Sequence, residues 1–350
     1  MVSKFHRQTD RQTDRQNNYD LLRIIAALAV ICNHTTDYYI CHPQENDLWF
    51  SCVVWSLVSV AVPIFFMLSG AFLISNDKNA DCRYFYKHSL GKLGIPLLVF
   101  TIFYISWYVG ISLVKMALGK EGIVGIVSVA KYIVTGWHGH PLWFMYTLLG
   151  IYCFIPLLVR IRKYTTVNCF RKYGAIFSLW CVISFLDINI GTSWNIGLVA
   201  CYMGYVVSGY ILYDLLLSKK NNFVAAICLI CALLIGAGNG MMLYEYVLAT
   251  GELRNVWVSS AGAPLMVIEA VLVFVGFAFI RIKINLFRLS VLTFPVYLIH
   301  KFVLEVLQKA KCEIWQWNSF WGILISVFCT FILSLLLAWM YLKIYSVLRK

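Results

Sequence analysis

The sequence predicts an all-α polytopic membrane protein with about ten transmembrane helices and both termini in the cytoplasm. Of its 350 residues, 61% are hydrophobic and 13% are charged, whereas soluble domains carry roughly 25% charged residues. The apolar residues stand in long continuous runs rather than in the alternating pattern of membrane β-strands. Lysine and arginine concentrate in every second loop. Together these observations exclude a soluble, fibrous or disordered chain.

A polar tail precedes ten apolar runs. Residues 1–18 repeat the tetrapeptide Arg-Gln-Thr-Asp and are predicted to form a disordered cytoplasmic tail. The transmembrane domain is predicted over 19–345, and a shorter glycine-containing run at 122–135 is predicted to be interfacial or re-entrant. The predicted spans are roughly 20–40, 49–74, 94–116, 141–159, 173–190, 196–216, 223–246, 262–280, 289–308 and 319–342.

Basic residues orient these spans. With the N-terminus inside, 21 of the 29 lysines and arginines fall in cytoplasmic regions and seven in outer regions, while Arg23 lies within the first span. This bias is typical of a chain whose two ends face the cytoplasm. It also explains the net charge of +13 through contact with anionic lipid. The expected partner is therefore a lipid bilayer and not a nucleic acid.

The first span carries a stripe of ionisable residues. Arg23 and His34 are eleven residues apart, which brings both onto one helix face about 16 Å apart along the axis. Asp20 and Asp37 extend the stripe by three residues at either end. Charged groups within spans are costly and mark functional sites. His34 is the predicted general base, with Asp37 holding its tautomer; alone, Arg23 and His34 would be explained by snorkelling and helix packing.

The second span ends in a polar pair. Because this span runs from outside to inside, Ser69 and Gly70 lie near its cytoplasmic end, at the depth of Arg23. Gly70 alone is explained by close packing of helices. Two further basic residues, Lys87 and Lys92, lead into the third span. The inner mouth of the bundle is therefore predicted to be positively charged.

The fourth span opens with histidines and aromatic residues. His138 and His140 have no third ligand near them in the sequence, so no metal is expected. Trp143 and Phe144 follow at the start of the span, where aromatic side chains are typical of a membrane interface.

The ninth span contains a second buried histidine. His300 is about eleven residues from the cytoplasmic end of this span, so its depth approaches that of His34. Pro295 removes a backbone donor and predicts a kink. Lys301 and Glu305 are predicted to pair with each other at i and i+4. For His300, packing with a hydrogen bond and a functional role are equally good explanations.

Five motifs stand in a fixed order along the chain. They are Arg23-x10-His34, Phe-Met-Leu-Ser69-Gly70-x-x-Leu73, Lys87-x4-Lys92-x3-Pro96, Pro141-Leu-Trp143-Phe144 followed by Tyr152 and Pro156, and Tyr297-Leu-Ile-His300. In these motifs the chain resembles the acyltransferase 3 family over nearly all of residues 18–345, and it is most similar to bacterial surface polysaccharide O-acetyltransferases without a fused extracytoplasmic domain. The third motif departs from that family, which often has arginines at the positions of the two lysines.

The resemblance implies transfer of an acyl group, usually acetyl from acetyl-CoA, to a hydroxyl of a cell-envelope polysaccharide or lipid-linked glycan at the inner (plasma) membrane. Acyl-CoA is then a co-substrate, and no cofactor or metal is expected. A basic inner face suits the phosphates of CoA. The sequence does not decide whether the acyl group passes directly to the acceptor or through a covalent intermediate. The residues assigned are His34 and Asp37 to catalysis, Arg23, Ser69, Lys87 and Lys92 to the donor, and Trp143, Tyr297 and His300 to the acceptor or to support.

Two other classes of function compete with this interpretation. A proton-coupled secondary transporter would also need apolar spans and buried ionisable residues, and its sign would be two similar halves with matching broken spans. The spans that contain Pro63 and Pro295 have different surrounding motifs and do not form such a pair. A membrane sensor of glycans or peptides is the third possibility. Release of free CoA thiol would separate the enzyme from both.

Overall fold

The computed structural model describes residues 2–42, 47–119, 142–187, 196–217, 219–253, 257–310 and 318–348, with the side chains of 2–16, 90, 182–187, 196–198 and 345–348 outside that description. Regular structure in these residues is helical throughout. A 3-10 turn (Asp77–Ala80) and a π-helical segment (Tyr86–Leu90) stand on either side of α4. The helices are α1 (Val2–Cys41), α2 (Leu48–Ser59), α3 (Ala61–Leu73), α4 (Cys82–Phe85), α5 (Gly91–Ala117), α6 (Leu142–Tyr152), α7 (Ile155–Tyr164), α8 (Val167–Asp187), α9 (Ile196–Leu216), α10 (Asn222–Thr250), α11 (Pro264–Phe279), α12 (Phe287–Lys309) and α13 (Ser319–Leu348).

The helices confirm an all-α multi-pass membrane protein. In the part of the chain that is described, seven helical stretches are long and apolar enough to cross a membrane, with α2 and α3 counted as one. The pair α6 and α7 is bent by 41°, and counting it as one span gives eight. The two remaining runs predicted as spans, 173–190 and 262–280, fall on α8 and on the shorter α11. The count of ten and the sidedness of the termini stay predictions.

Hydrogen bonds between a turn, a helix end and the first span show which of these segments lie at the same end of the bundle. The Nζ of Lys220, between α9 and α10, donates to the carbonyls of Ala278 (2.9 Å) and Ile280 (3.1 Å) at the end of α11. The side chain of Asn18 near the polar start of the first span contacts the carbonyl of Ile280 and accepts from the N–H of Ile282 (3.1 Å). The α9–α10 turn, the end of α11 and this part of α1 therefore lie at the same end.

The first helix is central to the bundle. It packs against α2, α3, α12 and α13, while α9 packs between α3 and α8. Helices α3 and α9 approach closely at two glycines: a methyl group on Gly70 would overlap the Val206 carbonyl, and one on Gly209 would overlap the Met67 backbone. Close packing therefore accounts for Gly70 in the second span.

Two spans that the sequence predicts as continuous are interrupted in the structure. The second span is divided at Val60, because Pro63 has no N–H to donate to the Ser59 carbonyl one turn before it. The fourth bends between Tyr152 and Ile155, next to Pro156.

At the N-terminus, helix α1 begins at Val2, within the segment predicted as a disordered tail, and that disorder stays a prediction. The predicted re-entrant segment 122–135 lies outside the described residues.

Candidate active site

A histidine, a carboxylate and an indole form a chain of contacts between α1 and α2. The Nδ1 of His34 is 3.3 Å from Oδ2 of Asp37, one turn later on α1. The other oxygen of Asp37 accepts a 2.6 Å hydrogen bond from the indole Nε1–H of Trp55 on α2. Trp55 therefore holds the carboxylate from a second helix. A proton on Nδ1 that is donated to Asp37 leaves Nε2 of His34 with the lone pair that takes up a proton.

His34 opens onto a cavity of about 180 Å³, called the His34 cavity below. The α2–α3 break contributes Ser59, and the side chain of Asn33 donates to Ser59 Oγ at 2.9 Å. Trp143 and Tyr297 also line this cavity. The side chain of His34 is 27% exposed. The imidazole is therefore accessible to a small polar group from this cavity.

His300 lies directly against His34. The two imidazole centroids are 5.4 Å apart and the rings are inclined by 21°, which is a stacked arrangement. His300 is fully buried, and its Nδ1 lies 2.5 Å from the carbonyl of Tyr297, so Nδ1–H is the donor. Among the described residues, its Nε2 has no hydrogen-bond partner. The structure thus brings together the two histidines to which the sequence assigns a similar depth.

Arg23 belongs to a second polar cluster, nearer the start of α1. Its Nη1 lies 3.4 Å from Oδ1 of Asp20, and the same oxygen accepts a 2.7 Å hydrogen bond from the hydroxyl of Ser290 on α12. The guanidinium carbon stands 4.6 Å from the centroid of the Phe72 ring, within the range of a cation–π contact. Asp20 and Phe72 therefore fix the guanidinium at the edge of a cavity.

This second cavity has a volume of about 410 Å³ and is called the Arg23 cavity below. Arg23, Ser69 and Lys92 all line it, as does Tyr297. Ser69 donates to its own helix, at the Phe65 carbonyl (2.8 Å). The cavity combines two cationic side chains with an apolar lining, which suits an anionic ligand that carries an apolar arm.

Not all of the predicted site residues meet. Lys87 lies exposed in the π-helical segment and does not line the Arg23 cavity, so its donor role stays a prediction without a contact. Pro141, His138 and His140 lie outside the described residues. Trp143, Tyr297 and His300 come together around His34.

Sequence reasoning missed Trp55 and Asn33 as members of the site. Both stand in apolar runs, where an indole N–H or a carboxamide needs a hydrogen-bond partner. A polar group of this kind in an apolar run predicts that a hydrogen-bond partner exists, but the sequence does not identify that partner. Asp37 and Ser59 become their partners only when α1 packs against α2.

Comparisons with known proteins identify the family of this chain. The family described as "Acyltransferase domain" matches residues 16–339. Nodulation protein 10 of Rhizobium leguminosarum bv. viciae is 27% identical over 127 residues, which is 35% of this chain and 31% of that protein. The match thus spans about a third of that relative's length. No solved structure matches the chain. Because the family match covers nearly the whole chain and includes both clusters on α1, this protein belongs to the acyltransferase 3 family.

Proposed function

We propose that this protein is a membrane O-acyltransferase that moves an acyl group, acetyl in the first instance, from cytoplasmic acyl-CoA to a hydroxyl of a cell-envelope polysaccharide or lipid-linked glycan. The observation that carries the proposal is the Trp55–Asp37–His34 chain, which ends in an imidazole at the edge of a cavity. Family membership supports the same reaction type. The proposed location is the inner (plasma) membrane, with the donor reaching the bundle from the cytoplasm.

The donor site is proposed to be the Arg23 cavity. CoA is polyanionic at one end and carries its thioester on a long uncharged arm. Arg23 can meet a phosphate with two parallel hydrogen bonds, and Lys92 adds a point charge. The apolar lining beyond these residues suits the uncharged arm. Ser69 and Ser290 contribute hydroxyl groups to the same lining.

The chemical step is proposed to occur at His34. In a direct transfer, Nε2 of His34 takes the proton of the acceptor hydroxyl while the hydroxyl oxygen attacks the thioester carbonyl. The new C–O bond forms, the C–S bond breaks, and the departing thiolate receives the proton from the imidazolium to give free CoA. Asp37 stabilises the positive charge that His34 carries between these events. Ester and free thiol are the products.

Membranes that contain the protein test this proposal. Given acetyl-CoA and the envelope glycans of the producing cells, they should release free thiol and acquire ester-linked acetyl groups, detectable by mass spectrometry. His34→Ala should lower the rate by about 10²–10⁴-fold, because a general base contributes that much. His42→Ala is the matched control, since His42 is exposed beyond the end of α1 and should leave the rate unchanged. Wild-type turnover by His34→Ala at equal abundance would refute the mechanism.

A further inference from the structure

Three aromatic rings, from Phe65 on α3, Phe144 on α6 and Tyr297 on α12, meet between the two cavities and are called the aromatic wall below. The ring centroids of Phe144 and Tyr297 are 4.9 Å apart. Phe65 lies 6.1 Å from each of them. Three helices therefore contribute one ring each to a single triangle of contacts.

The wall stands at the boundary of the cavities. All three rings line the Arg23 cavity, and of the described residues Tyr297 is the one that also lines the His34 cavity. On α6, Phe144 lines the Arg23 cavity whereas its neighbour Trp143 lines the His34 cavity. On α3, Phe65 lines the Arg23 cavity whereas Pro63 lines the His34 cavity. On each of these two helices, residues one or two positions apart thus line different cavities.

This arrangement has a consequence for any donor that binds at Arg23. Arg23 and His34 are eleven residues apart on one helix, about 16 Å along its axis. A thioester whose CoA phosphates lie at Arg23 has to extend past the wall before its carbonyl carbon reaches the hydroxyl that His34 deprotonates. The acyl chain, at the leading end of that arm, is the part that must pass between the rings.

From this geometry we infer that the aromatic wall selects the acyl group by its length. This inference rests on the proposed function. A short acyl group passes the rings with little displacement, and each added methylene has to find room among packed side chains. Apolar sites discriminate one methylene by about 10–200-fold. A smaller residue at Phe65 should admit longer chains, and a larger one should restrict the passage further.

The test uses native membranes that hold the full chain and its own acceptor. Donors are acetyl-, propionyl- and butyryl-CoA, each labelled in the acyl group, and the readout is label in the glycan fraction minus the His34→Ala background. Phe65→Ala should raise the butyryl-to-acetyl ratio by about tenfold or more. Phe65→Trp should lower that ratio. Phe144→Leu provides a second opening variant, should Phe65→Ala fail to accumulate.

Phe100→Leu is the matched control. Phe100 on α5 is buried and its ring packs on Phe103 and Tyr341, with centroids 6.2 and 5.5 Å away, but it lines neither cavity. Its substitution should leave the ratio unchanged. An equal rise in Phe100→Leu, or an unchanged ratio in Phe65→Ala and Phe144→Leu with wild-type acetyl transfer intact, would overturn selection by the aromatic wall and leave the proposed function standing. If the wild type gives no His34-dependent label with any donor, both proposals fall.

Discussion

The indole of Trp55 determines how Asp37 can act on His34. One carboxylate oxygen accepts from Nε1 of Trp55 at 2.6 Å, and the other lies 3.3 Å from Nδ1 of His34. A hydrogen bond to a charged group contributes about 1.5–3 kcal/mol, and its loss would let the carboxylate rotate away from the imidazole. His34 is therefore held through a residue of a second helix.

Replacing that indole should lower the rate without weakening donor binding. We expect Trp55→Phe to reduce kcat by about 10–100-fold, because it removes one hydrogen bond to a carboxylate. The apparent KM for acyl-CoA should stay the same, since Trp55 lines the His34 cavity and not the Arg23 cavity. Trp49→Phe is the control, because Trp49 is 48% exposed on the same helix. Equal kcat in both variants would remove Trp55 from the site.

Arg23 has two explanations that kinetics can separate. As a donor ligand it would meet a phosphate, whereas as an anchor it would only hold α1 against α3 through its contact with Phe72. We expect the apparent KM for acyl-CoA to rise in Arg23→Lys and by about 10–100-fold in Arg23→Ala, with the acceptor KM little changed. The exposed Arg83, which does not line the cavity, is the control as Arg83→Ala. An unchanged donor KM in both Arg23 variants would leave Arg23 as an anchor.

Single residues also show how far sequence patterns reach. The i, i+4 rule predicts a Lys301–Glu305 pair, yet the carboxylate of Glu305 accepts from Tyr108 (2.8 Å) and Trp107 (3.2 Å) on α5 and lies 3.6 Å from Lys309. Helix periodicity gives the distances within one helix but cannot identify a partner on another. For the same reason, the depth of His300 was predictable whereas its stacking on His34 was not.

At the scale of elements, the α3–α9 contact depends on glycine. A methyl group at Gly209 would overlap the backbone of Met67, which cannot move aside as a flexible side chain would. We expect Gly209→Ala to destabilise the fold by about 1–3 kcal/mol and to lower the melting temperature of the detergent-purified protein. Gly110→Ala on α5 makes the same change where no atom lies within 4 Å, and it should be neutral or slightly stabilising. Equal melting temperatures of the Gly209→Ala and Gly110→Ala proteins would show that the close α3–α9 contact does not contribute to stability.

Hydrophobic runs located the helices, but the interruptions within them were less visible. Among the described residues, each predicted span falls mainly on helix, because an apolar run of that length has few other solutions in a bilayer. Pro63 and Pro156 mark the break at Val60 and the bend after Tyr152. The sequence predicted a kink only at Pro295, although the same loss of a backbone donor applies to all three prolines. The Pro63 break is the one that opens onto the His34 cavity.

For the whole molecule, contacts at one end of the bundle favour the ten-span arrangement. If α8 and α11 did not cross the membrane, the turn with Lys219 and Lys220 would lie on the side opposite to the start of the first span. Lys220 instead contacts the end of α11, which also contacts Asn18. The Arg171–Asp214 ion pair (2.7 Å) joins the start of α8 to the end of α9 in the same way. Lys220 and Arg171 therefore lie at the same end of the bundle as the start of the first span.

Reporter fusions would decide the number of spans. We expect alkaline phosphatase, which is active only outside the cytoplasm, to be inactive after Lys350 and active when inserted after Glu252 between α10 and α11. Ten spans predict this combination, since they place every basic connection inside. Eight spans, without α8 and α11, would make both fusions inactive, and the seven continuous helices alone would make the fusion after Lys350 active. Only the ten-span result puts the Arg23 cavity, the α9–α10 turn and both termini on the side from which a cytoplasmic donor arrives.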